Sequence, residues 1–176
     1  EAEALGPALL VFAQLARVFN VDDLLIPKTS LRYGLLQEAV SGSGWTPEFM
    51  AQVEHSAIAL GTKYAFDERH ARQVTDLAIR FYRELQSEHM LPPRYELILR
   101  IATLLHEIGL FVNNRSHHKH SMYLIMNSDL FGLSHDDMMM IAMVARYHRR
   151  ATPQPYHEEF ATLNRDARLA VSKLAA

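Results

Sequence analysis

The chain has 176 residues, 49% hydrophobic and 22% charged, which is enough apolar material for one packed domain plus a fragment. Its 18 Lys and Arg stand against 20 Asp and Glu, a formal charge of −2, so no overall field draws it to nucleic acid or to an anionic membrane. The lack of cysteine excludes disulfides, thiolate catalysis and Cys-ligated zinc and fits a cytoplasmic setting, and no apolar run approaches the roughly 20 residues that span a bilayer.

Glu1-Ala2-Glu3-Ala4 has neither an initiator Met nor a basic signal-peptide start, and Val171 to Ala176 ends inside an apolar, helix-like run. We therefore expect the chain to be a piece of a longer protein. Leu9, Phe12, Ala13, Ala16 and Phe19 recur at helical spacing, which predicts a helix over Leu5 to Phe19 stopped by Asn20. Val21 to Ile26 reads as a short strand closed by Pro27. Ser41-Gly42-Ser43-Gly44 reads as a flexible linker. A helix and a strand of that size cannot bury both faces alone, so residues 1–40 are expected to end a preceding domain and residues 41–176 to form an all-α one.

Beyond the linker the pattern is helical. Thr46-Pro47 has an N-cap followed by proline at the first helical position. A helix from about Tyr64 to His89 would turn Phe66, His70, Val74, Leu77, Phe81 and Leu85 inward. After Pro92-Pro93, Tyr95 to Ile108 places Leu97, Ile101, Leu104, Leu105 and Ile108 in the core and ends at Gly109. His117 to Met126 is a short helix and Asn127 to Leu133 a loop. Ser134 caps a helix from His135 to Tyr147, with Asp137 completing a capping box. Thr152 to Pro155 is a loop, and Asn164 to Leu174 holds the last helix.

The chemistry is concentrated in histidines. His70 lies on the second helix of this region, His106-Glu107 near the end of the third, and His117, His118 and His120 open the next. Antiparallel helices bring the middle of one beside the end of another. Imidazoles with one carboxylate suit Mn²⁺, Fe or Zn²⁺, which acidify a water for attack on phosphorus. The alternative reading is structural: a histidine on an apolar face is commonly a hydrogen-bonded core residue.

This pattern resembles the HD superfamily of metal-dependent phosphohydrolases, whose signature is a His, a distant His-Asp pair, further His residues and a closing Asp. His70 and His106 match, and His120 falls among the further histidines. Glu107 stands where the pair has Asp, and no closing Asp follows; Asp166 comes too early. The extra methylene shifts the carboxylate by more than about 1 Å, which a ligand position tolerates poorly. The resemblance implies His70, His106, Glu107 and His120 as ligands of a degraded metal site.

A longer resemblance is more specific. Leu104-Leu105-His106-Glu107-Ile108-Gly109-Leu110, His118-Lys119-His120-Ser121, Asn127-Ser128-Asp129-Leu130-Phe131-Gly132 and Ala145-Arg146-Tyr147-His148-Arg149-Arg150 together resemble the C-terminal region of the exopolyphosphatase and guanosine pentaphosphate phosphatase family. Asp23 to Pro27 and Ser30-Leu31-Arg32-Tyr33-Gly34 resemble the end of its actin-like core. That resemblance implies a mainly α fold, an HD-like helical module behind a helix–strand remnant. It implies a parent enzyme that removes terminal phosphate from inorganic polyphosphate or guanosine pentaphosphate, with Mg²⁺ and an acidic base in an actin-like cleft outside this chain. No catalytic residue is then expected here; polyanion binding and homodimerisation are. An independently active HD-type hydrolase is the alternative. Arg146, Arg149, His148, Lys119 and His118 are the candidate phosphate contacts, since arginine forks match phosphate oxygens. Cations at a helix C-terminus also simply favour its dipole.

Overall fold

The computed structural model describes residues 5–21, 45–149 and 151–175. The chain divides between Ser43 and Gly44 into two compact units. In the first unit, helix α1 runs Leu5–Phe19. Asn20 takes a left-handed conformation (φ 51°), Val21 N–H donates to Ala16 O at 2.9 Å and Asn20 N–H to Arg17 O at 3.3 Å, the pair of bonds of a Schellman stop. The strand expected to follow lies, after Val21, outside the described residues. So do Lys28, Arg32, the Ser41 to Gly44 linker and Arg150.

In the second unit all regular structure among the described residues is helical: α2 Pro47–Lys63, α3 Glu68–Glu84, α4 Gln86–His89, α5 Arg94–Leu105, a 3-10 helix Ile108–Phe111, α6 His117–Met126, α7 His135–Tyr147, α8 Glu158–Thr162 and α9 Arg165–Leu174. Short polar residues start them. Thr46 Oγ1 accepts from Phe49 N–H, Asp67 from His70 N–H and Asn164 from Ala167 N–H, each closing a helix start whose N–H groups lack an intrahelical partner. The capping box of Ser134 and Asp137 forms as read. Helices α5 and α7 make the core. Leu97, Ile98, Ile101, Leu104, Leu105 and Ile108 from one side meet Met138, Ile141, Met143 and Val144 from the other, all buried. The methionine run is core packing, as its adaptable side chains suit. Trp45 stacks on Phe49 and lies under the Arg94 guanidinium.

Two expectations are corrected. No helix runs unbroken from Tyr64 to His89: Ala65 is left-handed (φ 50°) and Asp67 caps a new start. Helix α3 also turns a different face inward. Ala71, Thr75, Ile79 and Tyr82 are buried, whereas Leu77 and Phe81 are 47% and 60% exposed and His70 and Leu85 are exposed too. The first half of that buried face carries the small Ala71 and Thr75, which lets α3 approach α5 closely enough there for Thr103 Oγ1 to donate to Thr75 Oγ1 at 3.0 Å. Close packing rewards that approach more than it rewards the larger side chains.

The end of α5 differs as well. The helix closes at Leu105 and a 3-10 turn carries Gly109. The glycine is no helix stop: it is a buried contact where this turn meets the start of α6. A Cβ there would collide with His117 O, Ser121 N and Ser121 Oγ. Gly109 N–H donates to Ser121 Oγ at 2.9 Å, and that hydroxyl donates to His106 O at 2.7 Å.

Candidate functional site

The first turns of α3 and α6 and the last turns of α5 and α7 supply the histidines of one cluster. His70 is the third residue of α3. His106 caps the end of α5 and Glu107 follows it. His117 and His118 open α6, and His148 caps the end of α7. The Gly109–Ser121 contact fixes α6 against the end of α5, and so places His117 near His106.

The geometry has two halves. In the first, His70, His106 and Glu107 each offer a ligand atom, all within 4.8 Å of one another. Glu107 carboxylate oxygens lie 3.6 Å from His70 Nε2 and 3.8 Å from His106 Nε2. These distances are too long for hydrogen bonds. They are close to the roughly 3.4 Å that separates two donors on one tetrahedral ion with bonds of about 2.1 Å. In the second half, the ring of His148 lies 5.1 Å from that of His106, 5.5 Å from His117 and 6.4 Å from His118. A hydrogen-bond pattern repeats: His106 Nδ1 meets Thr103 O at 2.7 Å, His148 Nδ1 meets Ala145 O at 2.6 Å, and His117 Nδ1 meets Asn114 O at 3.3 Å. A carbonyl only accepts, so Nδ1 carries the proton and Nε2 a lone pair in the neutral ring. His117 Nε2 and His118 Nδ1 are buried without a hydrogen-bond partner among the described residues.

Burial favours the neutral form of His106, His118 and His148. It is the largest cause of the lowered His106 pKa, with opposing help to the cation from Thr103 O and Glu107 and repulsion from His70 and His117. Burial likewise pushes His148 down to about 4, and repulsion from His106, His117 and His118 adds to it. For His118, burial lowers the pKa first, then Arg146, His117, Arg149 and Lys119. Unfolded, such a ring titrates near 6.5. Between that value and the folded one the unfolded chain binds more protons, so stability falls as pH drops from about 6.5 toward 4. In protein held in chelator, Tm is expected to decline over that window, and the decline is expected to be shallower in His148→Gln. Calorimetry showing the same slope in both proteins would refute this account.

The residues singled out from sequence fall into three groups. The structure brings His70, His106 and Glu107 together. Arg146, Arg149 and Lys119 each lie close enough to His118 to lower its pKa. His120, half-buried on α6, is absent from the described imidazole contacts. The central position of His148, and the bridging position of His117, were not read from spacing. The signal was there in His148 as the last residue of an apolar helix, but a helix end gives no hint of which other helix end it faces.

The family description that matches the chain is Ppx/GppA phosphatase, domain III, over residues 53–176. Among curated proteins, the guanosine-5'-triphosphate,3'-diphosphate pyrophosphatase of Aliivibrio fischeri is 24% identical over 174 residues, covering 95% of this chain and 33% of that protein. Those of Aeromonas salmonicida and Aeromonas hydrophila are 31% and 32% identical over 127 residues, 72% of this chain and 25% of theirs. The chain thus spans a third or less of the length of these relatives. No described helix is long and apolar enough to cross a membrane.

Proposed function

This chain belongs to the Ppx/GppA phosphatase family, as its domain III, and on that footing we propose that it is the C-terminal helical region of an exopolyphosphatase-like phosphohydrolase. The parent enzyme would release terminal phosphate from guanosine pentaphosphate or polyphosphate. The printed names of the relatives favour the nucleotide. The bond-breaking groups and their Mg²⁺ are assigned to actin-like lobes of which this chain would hold only the end, residues 1–40. The helical domain contributes polyanion binding and dimerisation.

One observation carries the polyanion reading. Arg146, Arg149 and Lys119 all lie close enough to His118 to depress its pKa. Such a rim would gather three cations around one histidine. Guanidinium forks match phosphate oxygens in pairs, and that of Arg146 lies 5.5 Å from the centre of the Tyr147 ring. Leu77 and Phe81, exposed one turn apart on α3, support an association surface, since apolar side chains left in water gain by pairing.

The test is binding of the parent enzyme to long-chain polyphosphate as salt is varied. Arg146→Ala with Arg149→Ala is expected to flatten the slope of log K against log salt by roughly one per cation removed. Unchanged affinity and slope would rule the rim out as a phosphate track. A second reading, an independently active metal-dependent phosphohydrolase, is supported by the His70, His106 and Glu107 grouping. Phosphate release by this chain alone, lost in His106→Ala, would favour it.

A further inference from the structure

We propose that His157 is a positioning residue for the phosphate rim: through the Tyr147 hydroxyl it fixes the ring over which the Arg146 guanidinium lies. This role presupposes that Arg146 contacts phosphate, as read above. Three contacts in series join the start of α8 to the last turn of α7.

The first contact lies in the loop. His157 is the N-cap of α8, yet its side chain makes no capping bond there. Its backbone N–H donates to Gln154 O at 2.9 Å, and its Nδ1 accepts from Gln154 N–H at 3.1 Å. A backbone N–H only donates, so Nδ1 holds the lone pair and, in the neutral ring, Nε2 carries the proton. That tautomer is the opposite of the one in His106 and His148, whose Nδ1 faces a carbonyl.

The second contact crosses to α7. The Tyr147 hydroxyl lies 2.5 Å from the same Nδ1, so the phenol is the donor. Burial raises the Tyr147 pKa against the opposing pull of the Arg146 cation, which keeps that proton in place. The two rings stack with centres 5.5 Å apart and planes at 17°, and Phe160 meets the Tyr147 ring edge-on at 6.3 Å. Tyr147 is 2% exposed, and the hydroxyl of so buried a ring needs a partner.

The third contact is the arginine. The Arg146 guanidinium lies 5.5 Å from the centre of the Tyr147 ring, within the range at which a cation is attracted to an aromatic face. Consecutive helical residues do not face one another, so the arginine side chain folds back over its neighbour to reach that ring. A phenol that donates its proton is polarised toward a more electron-rich oxygen and ring, and so holds the cation more firmly. Fixing the guanidinium before phosphate arrives lowers the ordering cost of binding.

The full chain is titrated with long-chain inorganic polyphosphate over a series of salt concentrations. Tyr147→Phe keeps the ring and every charge but removes the donor. It is expected to weaken binding by roughly two- to tenfold, the range that one hydrogen bond supplies. It is also expected to flatten the slope of log K against log salt toward that of Arg146→Ala, about one cation fewer. A purely structural role for the hydroxyl would lower stability and leave that slope alone. His157→Ala should match Tyr147→Phe, and His157→Asn, whose carbonyl oxygen can stand in for Nδ1, should recover most of the affinity. In an Arg146→Ala background neither Tyr147→Phe nor His157→Ala should weaken binding further. Circular dichroism confirms that each variant is folded. Parent affinity and slope in folded Tyr147→Phe would overturn the proposal, as would an undiminished loss in the Arg146→Ala background. Arg146→Ala binding as tightly as the parent would instead bring down the reading of the rim, and this role of His157 with it.

Discussion

Replacing Gly109 with alanine is expected to destabilise the helical domain by about 3 kcal/mol or more, the upper range for overpacking a well-filled site. The added Cβ would fall inside contact distance of His117 O and Ser121 N and 2.8 Å from Ser121 Oγ. Two of those atoms are backbone, so no side chain can rotate away. The 3-10 turn and α6 must part. Parting them also breaks the hydroxyl relay from Gly109 N–H through Ser121 Oγ to His106 O, a buried set in which each lost partner costs about 1–3 kcal/mol. For a domain of this size Tm should fall by roughly 10 °C. Ser121→Ala, which removes the relay without the clash, is expected to lose only about 1–3 kcal/mol. A Gly109→Ala protein whose urea midpoint matches the parent's would show that α6 is not held where His117 O now lies. The contact also has a functional consequence: moving α6 displaces His117 from His148, so the histidine cluster should loosen before the core melts.

The elements were legible where local chemistry alone decides them. Thr46-Pro47 and Ser134 with Asp137 each announce a helix start through a side-chain acceptor three residues before the N–H it satisfies, and both helices begin where those residues place them; Asn164, read as the first residue of the last helix, is its cap. Helix α6 likewise runs His117–Met126 as its spacing suggests. Legibility failed where two helices had to choose faces. On α3 the large residues Leu77 and Phe81 made the more conspicuous stripe, yet Ala71 and Thr75 face inward, because the partner surface on α5 decides how near the axes can come. Sequence periodicity records only which residues share a face, and α3 carries two usable faces. The five-residue helix α8 around the buried Phe160 escaped notice because one apolar side chain makes no period.

The site was half legible for the same reason. His106-Glu107 and His70 could be paired in advance because a long antiparallel helix pair fixes which ends meet. His148 and His117 join them through the order in which α5, α6 and α7 pack, which is a tertiary fact. Gly109 was visible in the sequence but misread as a helix stop, since a glycine required by close backbone approach and one required by a left-handed turn look alike until the neighbouring element is in place.

Asp137→Ala is expected to be the other severe substitution, at about 3 kcal/mol. The carboxylate is 5% exposed and serves two structures at once. Its Oδ2 accepts from Ser134 N–H at 3.1 Å and from Ser134 Oγ at 2.6 Å, while Oδ1 accepts from Arg94 at 2.7 Å. The first pair closes the start of α7; the third ties α7 to the start of α5. Losing a cap costs about 0.5–2 kcal/mol, and losing a hydrogen bond to a buried charge about 1.5–3 kcal/mol. The two overlap because one side chain supplies both, so they should not be summed. Asp137→Asn keeps an acceptor and is expected to fall between parent and alanine. Arg94→Met separates the two roles, since it removes the tie and leaves the cap intact; Arg94 is nearly half exposed, so its loss alone should be the smaller. The double variant Arg94→Met with Asp137→Ala should then be less destabilised than the two single losses added, by about 1 kcal/mol. Strict additivity in denaturant melts would mean that the α5–α7 tie contributes nothing, and that the core packing of Leu97, Ile101 and Ile141 alone sets how the two central helices lie.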